Sequence, residues 1–431
     1  MFIDDVMQEI WKPTSRIYLE KYKEYEQMDT NDLVNYLDKA EMMLTSYPYC
    51  NLNMLLTAGC SHHVRKGNMS GCSMCNYQIN HIDALVALNV LRNRDVLKYV
   101  DIVIKSFTNR RGEITQQMYS EVVTGYNIFD SFECPELLIE KIFGEASPYK
   151  VRPFRYVVEA RANDVTKENV AMLRRLIPKG RIEIEIGIET EDDWLRNHWL
   201  NKNVTNNEIK NAVQIMSEYK VPVMADIILG IPGLTEMQGI DICCKTIDWL
   251  EELGVENYTI LPLNRRSNTL QDYLYKFLSD DDDLKQVGLV NGEHTGITWL
   301  FTLVEFLIRQ YSTNPKRMKK ISVVQYDSRS YSKWNATTYN YDRNCVCHKE
   351  LVELLDNYVV SRDMTDLIYY QKKMVLDPCY QEYQCLLKRQ SNLTVTETMC
   401  LVAEKVAGMM FANQKEKIIQ FQEELLSYTR E

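Results

Sequence analysis

From Leu52 to Leu263 the chain alternates short apolar or β-branched runs with stretches of helical periodicity, and this alternation limits its fold more than any other feature. The runs "LNMLLTAG", "EVVTGYNIF", "FRYVVEA", "IEIEIGIE", "PVMADIILG" and "ENYTILPL" read as six strands. Strands separated by helices are joined by crossovers, so they lie parallel, and the helices cover the outer face of the sheet. The predicted class is α/β: a partial (β/α)6 TIM-like barrel with N-terminal helices and a mostly helical C-terminal region.

The helices carry local start signals. Thr205 and Glu208 have capping-box spacing, and Ile209, Val213 and Met216 then share one face. Thr166 is placed to cap "TKENVAMLRRLI". Residues 1–50 read as a helical extension broken near Pro13 and Asp29, 51–278 as the barrel, and 279–431 as a smaller, mostly helical domain. "SDDDDLKQVG", at the junction, reads as a solvated acidic turn.

Composition narrows the setting. No apolar run reaches the roughly 18 residues of a membrane span, and the start, "MFIDDVMQEIW", is acidic, unlike a secretory leader. A cytoplasmic protein without membrane contact is expected. The 12 cysteines are unevenly spaced, which does not suit a disulfide framework and leaves reduced thiols available as metal ligands. A net charge of -10 argues against broad nonspecific binding to nucleic acid, although a local basic patch is compatible with it.

The first predicted strand runs into "TAGCSHHVRKGNMSGCSMCNYQ", which holds Cys60, Cys72 and Cys75. Three thiolates on an iron-sulfur cluster leave one iron open to another molecule. The alternative is zinc, with His62 or His63 as fourth ligand, although lone histidines in a long loop are more often solvent-facing. The loop follows the carboxyl end of its strand, where α/β sheets bind ligands.

A three-cysteine loop after strand one of a βα array resembles the radical S-adenosylmethionine (SAM) enzymes. The usual family spacing is Cys-x3-Cys-x2-Cys. Here eleven residues separate Cys60 from Cys72, and Met74 stands where an aromatic is usual. That expanded loop, ending in "GCSMCNY", is similar to the archaeosine-synthase radical SAM subunit family and its bacterial relatives, cousins of the elongator-catalytic-subunit group. "IFDSFECPE", "VVEARANDVT", "IGIETEDDWLRNHWLNKNVT", "ILPLNRRSNTL", "GITWLFTLVEFL" and "NCVCHKELVELLDNYVVSRD" continue the resemblance through most of the chain after residue 50.

The resemblance implies a partial barrel of the radical SAM type, a 4Fe-4S cluster on Cys60, Cys72 and Cys75, and SAM as cosubstrate. Reductive cleavage of SAM would give a 5′-deoxyadenosyl radical that abstracts hydrogen from substrate. It implies Asp130 and Ser131 near the SAM amino group, Glu159 accepting from ribose, Arg161 donating to the SAM carboxylate, and Glu189 completing the polar ring. Glu159 and Arg161 could equally pair with each other on the rim, and Glu189 could merely cap its strand. "LGIPG", Leu229 to Gly233, would run near the adenine. A one-electron reductant such as flavodoxin or ferredoxin is implied. The implied substrate is a modified nucleoside or tRNA base undergoing C-N bond cleavage. The acidic balance leaves a small molecule or peptide open as substrate, and a zinc-stabilised, non-catalytic interaction protein remains the alternative of a different class.

Two further features stand outside that reading. Cys345, Cys347, Cys379 and Cys385 form a second possible metal or cluster set, or else are free buried thiols. The basic runs "HHVRKG" and "NPKRMKK", the latter with Lys316, Arg317, Lys319 and Lys320, could hold phosphates, although isolated basic runs are usually solvated faces.

Overall fold

The computed structural model describes residues 1–40, 43–46, 50–65, 68–76, 81–111, 120–144, 154–177, 181–326, 338, 340 and 344–428. Its strands are β1 (Met43–Ser46), β2 (Cys50–Met54), β3 (Val64–Arg65), β4 (Asn68–Met69), β5 (Ser120–Thr124), β6 (Arg155–Ala160), β7 (Ile182–Glu189), β8 (Val223–Leu229), β9 (Asn257–Pro262) and β10 (Ile321–Val323). One eight-stranded sheet runs in the order β1-β2-β5-β6-β7-β8-β9-β10, and β3 and β4 form a small separate hairpin. Every neighbouring pair from β2 to β10 is parallel, while β1 adds antiparallel to β2.

Seven parallel strands curl into a half-barrel wrapped by helices, which is the expected class with one strand more than the six read from sequence. The seventh, β10, is only three residues long and pairs with β9. Strand period divides each strand between two environments. On β7, Ile182, Ile184, Ile186 and Ile188 are buried. Glu185, Gly187 and Glu189 alternate with them and line the lumen cavities, while Glu183 is buried as well.

The helical start signals act as expected. Thr205 and Glu208 form a complete capping box on the helix Asn206–Glu218, which buries Ile209, Val213 and Met216. Thr166 accepts from the Asn169 N–H at the start of Lys167–Leu176. The N-terminal expectation needs one correction: the helix Phe2–Gln27 runs unbroken through Pro13. A proline inside a helix costs roughly 3 kcal/mol, but Trp11, Thr14, Ser15 and Tyr18 are buried around it, and that packing holds the helix together. The break at Asp29 is as expected, with Asp29 capping Thr30–Leu37.

The acidic turn is more than a solvated face. Asp281 caps the short helix Asp282–Gln286, and Lys405 lies 2.9 Å from the same carboxylate. Among the described residues no helix is long and apolar enough to cross a membrane.

Candidate functional site

The cysteine loop leaves β2 at the carboxyl end of the parallel strands. Cys60, Cys72 and Cys75 line one cavity together with Met74, Tyr126, Glu159, Arg161, Glu189 and Lys202. Cys72 is buried, and Cys60 and Cys75 are half-buried. Burial pushes the Cys60 thiol up to about 12, against the opposing pull of Arg161. Such a thiol keeps its proton unless a metal displaces it. Three convergent sulfur donors beside mixed carboxylates and cations suit a thiolate-ligated centre with a zwitterionic neighbour.

His62 and His63 are buried, contrary to the solvent-facing reading. The His62 Nε2 lies 2.6 Å from the Asn201 carbonyl and must be the donor, since a carbonyl only accepts. The His63 ring packs edge-on against Trp11, with centroids 5.2 Å apart.

The loop is clamped from below by the segment that follows β7. A π-turn, Leu195–Trp199, delivers residues 199–202 to it. The Ser73 N–H donates to the Leu200 carbonyl at 2.9 Å and the Ser73 hydroxyl to the Trp199 carbonyl at 2.8 Å. The Asn201 amide donates to the Gly71 carbonyl at 2.9 Å. Arg196, fully buried, holds the turn by donating to the carbonyls of Ile188, Thr190 and Val204. Gly71 itself has φ +135°, and a Cβ there would lie 2.6 Å from the His63 ring.

The strand ends supply the polar lining. Glu159, on β6, accepts from the Thr124 hydroxyl, and Arg161, one residue past β6, donates to the Lys202 carbonyl. These are not the mutual ion pair weighed from sequence. Burial raises Glu159 to about 7, with the Glu185 charge adding to it. A β-bulge between Gly187 and Glu189 re-aims the end of β7, where Glu189 takes φ +67°, a backbone that non-glycine residues rarely adopt. Its carboxylate meets the Lys202 ammonium at 2.6 Å. Burial works to lower Lys202, but the Glu189 charge, the nearby Cys72 and the hydrogen bond to Glu189 together outweigh it and Lys202 is raised.

The structure does not bring every sequence-predicted residue to this cavity. Glu159, Arg161 and Glu189 line it, whereas Asp130 and Ser131 are not among its lining residues. The Asp130 carboxylate accepts from the Phe132 N–H at 2.9 Å, and the Ser131 carbonyl accepts from Arg92. "LGIPG" contributes to a separate small pocket with Thr298 and Trp299.

Lys202, Glu185 and Asp226 were missed from sequence. Asp226 lines both the cysteine cavity and a second cavity of about 290 Å³ that extends down the lumen, which Glu185 also lines. Glu185 and Asp226 are hydrogen-bonded to each other, and burial raises both. Glu133, fully buried and raised chiefly by burial, accepts from the Thr57 hydroxyl at 3.0 Å behind the loop.

In the C-terminal region the Sγ atoms of Cys345, Cys347 and Cys379 all lie within 4.8 Å of one another. Cys385 is exposed and outside that set. In "NPKRMKK", Arg317 is buried and ion-paired with Asp248 at 2.8 Å and also with Glu251, so it belongs to the packing and not to a basic surface. In "HHVRKG", Lys66 and Gly67 lie outside the described residues.

No known family profile matches the sequence. The chain is similar to an uncharacterized protein of Methanocaldococcus jannaschii, 20% identical over 319 residues that cover 73% of this chain and 77% of that protein. It is also similar to archaeosine synthase subunit beta of Methanosarcina acetivorans, 22% identical over 318 residues that cover 72% and 78% of the two. Among solved structures it is similar to TsrM, a radical SAM methyltransferase from Kitasatospora setae, with TM-score 0.39, 12% identity, and coverage of 76% of this chain and 61% of that one. Elp3 of Methanocaldococcus infernus matches with TM-score 0.38 and 13% identity, covering 62% and 58%. The match spans less than two thirds of either solved chain. The chain is thus similar to archaeosine synthase subunit beta over about three quarters of its length, and its own fold is a half-barrel of parallel strands wrapped by helices.

Proposed function

We propose that this protein is a radical SAM enzyme acting on a nucleoside-derived substrate. Cys60, Cys72 and Cys75 would hold a 4Fe-4S cluster. The observation that carries this reading is the joint lining of one cavity, at the carboxyl ends of parallel strands, by three cysteines and the Glu159, Arg161, Glu189 and Lys202 side chains. When bound, the cluster and SAM supply one-electron cleavage of a sulfonium and abstraction of a substrate hydrogen.

The chain's own residues bind and orient. Arg161 offers its guanidinium to the SAM carboxylate, and Glu159 offers an acceptor to the ribose hydroxyls. Glu189, neutralised by Lys202, completes the ring without adding net charge. No direct contact is proposed for Asp130 and Ser131. The lumen below, lined by the hydrogen-bonded carboxyls of Glu185 and Asp226, offers polar contacts to a polar heterocycle. A one-electron reductant, of the flavodoxin or ferredoxin kind, is required as partner. The nucleoside reading rests on the likeness to archaeosine synthase subunit beta.

The test is anaerobic purification with iron and acid-labile sulfide analysis. Brown protein carrying about four irons, lost in each of Cys60→Ala, Cys72→Ala and Cys75→Ala, is the expected result. Colourless protein that takes up no iron on reconstitution would overturn the reading in favour of a non-catalytic zinc protein.

A further inference from the structure

Cys345 is the N-cap of the helix Val346–Ser361, Cys347 lies in its first turn, and Cys379 lies in the first turn of the helix Pro378–Gln390. Helices of 16 and 13 residues therefore bring their N-terminal ends to one cluster of sulfurs. The partial positive charge of those helix ends suits the negative charge that sulfurs carry once they are bound to a metal. The Cys345 Sγ already accepts the His348 N–H at 3.2 Å. Cys347 and Cys379 are buried, as is Asn340, whose Nδ2 stands 3.7 Å from the Cys347 Sγ. The Oδ1 of that amide is buried with no hydrogen-bond partner.

Sulfur spacing decides what the set can hold. On a tetrahedral ion with metal-sulfur bonds of about 2.3 Å, two thiolates stand about 3.8 Å apart. The three Sγ atoms are all within 4.8 Å of one another, so small side-chain rotations bring them onto a single ion. A four-iron cluster spreads its thiolates over separate irons and needs wider spacing. The loop cysteines, among the described residues, do not form so tight a set. Cys385 follows Cys379 by six residues on the same helix, which turns it to another face.

We infer that Cys345, Cys347 and Cys379 bind one zinc ion, with the fourth position taken by a neutral oxygen donor beside Cys347, where the Asn340 amide stands. The ion would tie the chain that follows β10 to the helix Pro378–Gln390. This inference is independent of the cluster proposed for the barrel.

The experiment is zinc and iron analysis of the full-length protein and its variants after mild chelation. One zinc per chain is expected in the wild type. Cys347→Ser and Cys379→Ser should lose zinc and keep iron, Cys60→Ala should do the reverse, and Cys385→Ser should keep both. Wild-type protein exchanged into cobalt(II) should show thiolate-to-metal charge transfer and strong tetrahedral d–d bands, a readout that does not depend on variants folding. Absence of zinc, zinc that survives Cys347→Ser, zinc lost together with iron in Cys60→Ala, a disulfide within the trio, or no cobalt-thiolate absorption would each overturn the inference.

Discussion

The Lys202 ammonium sits 2.6 Å from the carboxylate of Glu189, the last residue of β7, just past a β-bulge. Both side chains are almost fully buried, with 9% and 12% of their surfaces exposed. Removing one partner of such a pair leaves a charge in a poor solvent, at a cost of about 3 kcal/mol. Lys202→Met is therefore expected to lower unfolding stability by roughly that amount, and adding Glu189→Gln should recover most of it. Urea unfolding of the two single variants and the double variant checks this through the coupling energy.

Arg161 lies outside the cysteine loop, so Arg161→Ala is expected to leave iron content unchanged. If its guanidinium meets the SAM carboxylate, SAM affinity should fall about tenfold to a hundredfold, the worth of one hydrogen bond to a charged group. Equilibrium binding of SAM to the anaerobic, iron-loaded variant tests the assignment. Wild-type affinity in the variant would refute it.

Gly71→Ala is expected to destabilise the loop. Its φ of +135° strains any side chain, and the new Cβ would lie 2.6 Å from the His63 ring. A loss of roughly 1–3 kcal/mol together with reduced iron retention should follow. Adding His63→Ala removes the obstacle and should recover part of the loss, because only the backbone strain remains.

Stability should fall between pH 5 and 8, and Glu236 is a convenient probe because it lies away from the proposed SAM lining. Burial raises its carboxyl to about 7 in the fold, while the unfolded chain releases the proton near 4.5. The folded state therefore binds more protons across that interval, and stability decreases as pH rises through it, by up to about 3 kcal/mol for this group. Glu236→Gln should flatten that decline, so its advantage over the wild type is absent at pH 5 and greatest at pH 8. Denaturant midpoints at three pH values give the answer.

If the substrate is carried on transfer RNA, binding of bulk transfer RNA to the SAM-loaded enzyme should weaken steeply with salt. The log-log slope should be roughly -0.7 to -0.9 per phosphate contacted. Replacing Lys316, Lys319 and Lys320 together by Ala should make the slope shallower. Arg317 is left in place because its ion pairs with Asp248 and Glu251 are part of the packing. Binding indifferent to salt and to these lysines would favour a small-molecule or peptide substrate.

The sheet was legible in sequence where a strand is long enough to show its own pattern. β10 was not, because three residues carry no periodicity and their pairing with β9 depends on tertiary structure. Capping at Thr205 and Thr166 was legible because it is settled within four residues. Lys202 was missed because nothing in "NKNVT" marks a buried ammonium, and only the fold brings it to Glu189. Glu185 and Asp226 did leave a trace: carboxyls inside strands otherwise rich in Ile and Val, in a parallel sheet where both faces are covered, require a polar interior. The four-cysteine set was half legible, since sequence spacing cannot tell which side of a helix Cys385 faces.

Residues 199–202 touch both halves of the site. Their carbonyls and the Asn201 amide hold Gly71 and Ser73 of the cysteine loop, while the Lys202 carbonyl receives Arg161. Anything that orders this segment for one half orders it for the other, so filling the sulfur ligands and anchoring a carboxylate at Arg161 become linked equilibria. Linkage is reciprocal: whatever factor iron loading adds to SAM affinity, SAM must add to iron retention. Protein stripped of its cluster should accordingly be a poor SAM binder even with every strand-end contact in place, and SAM should slow the loss of iron to a chelator.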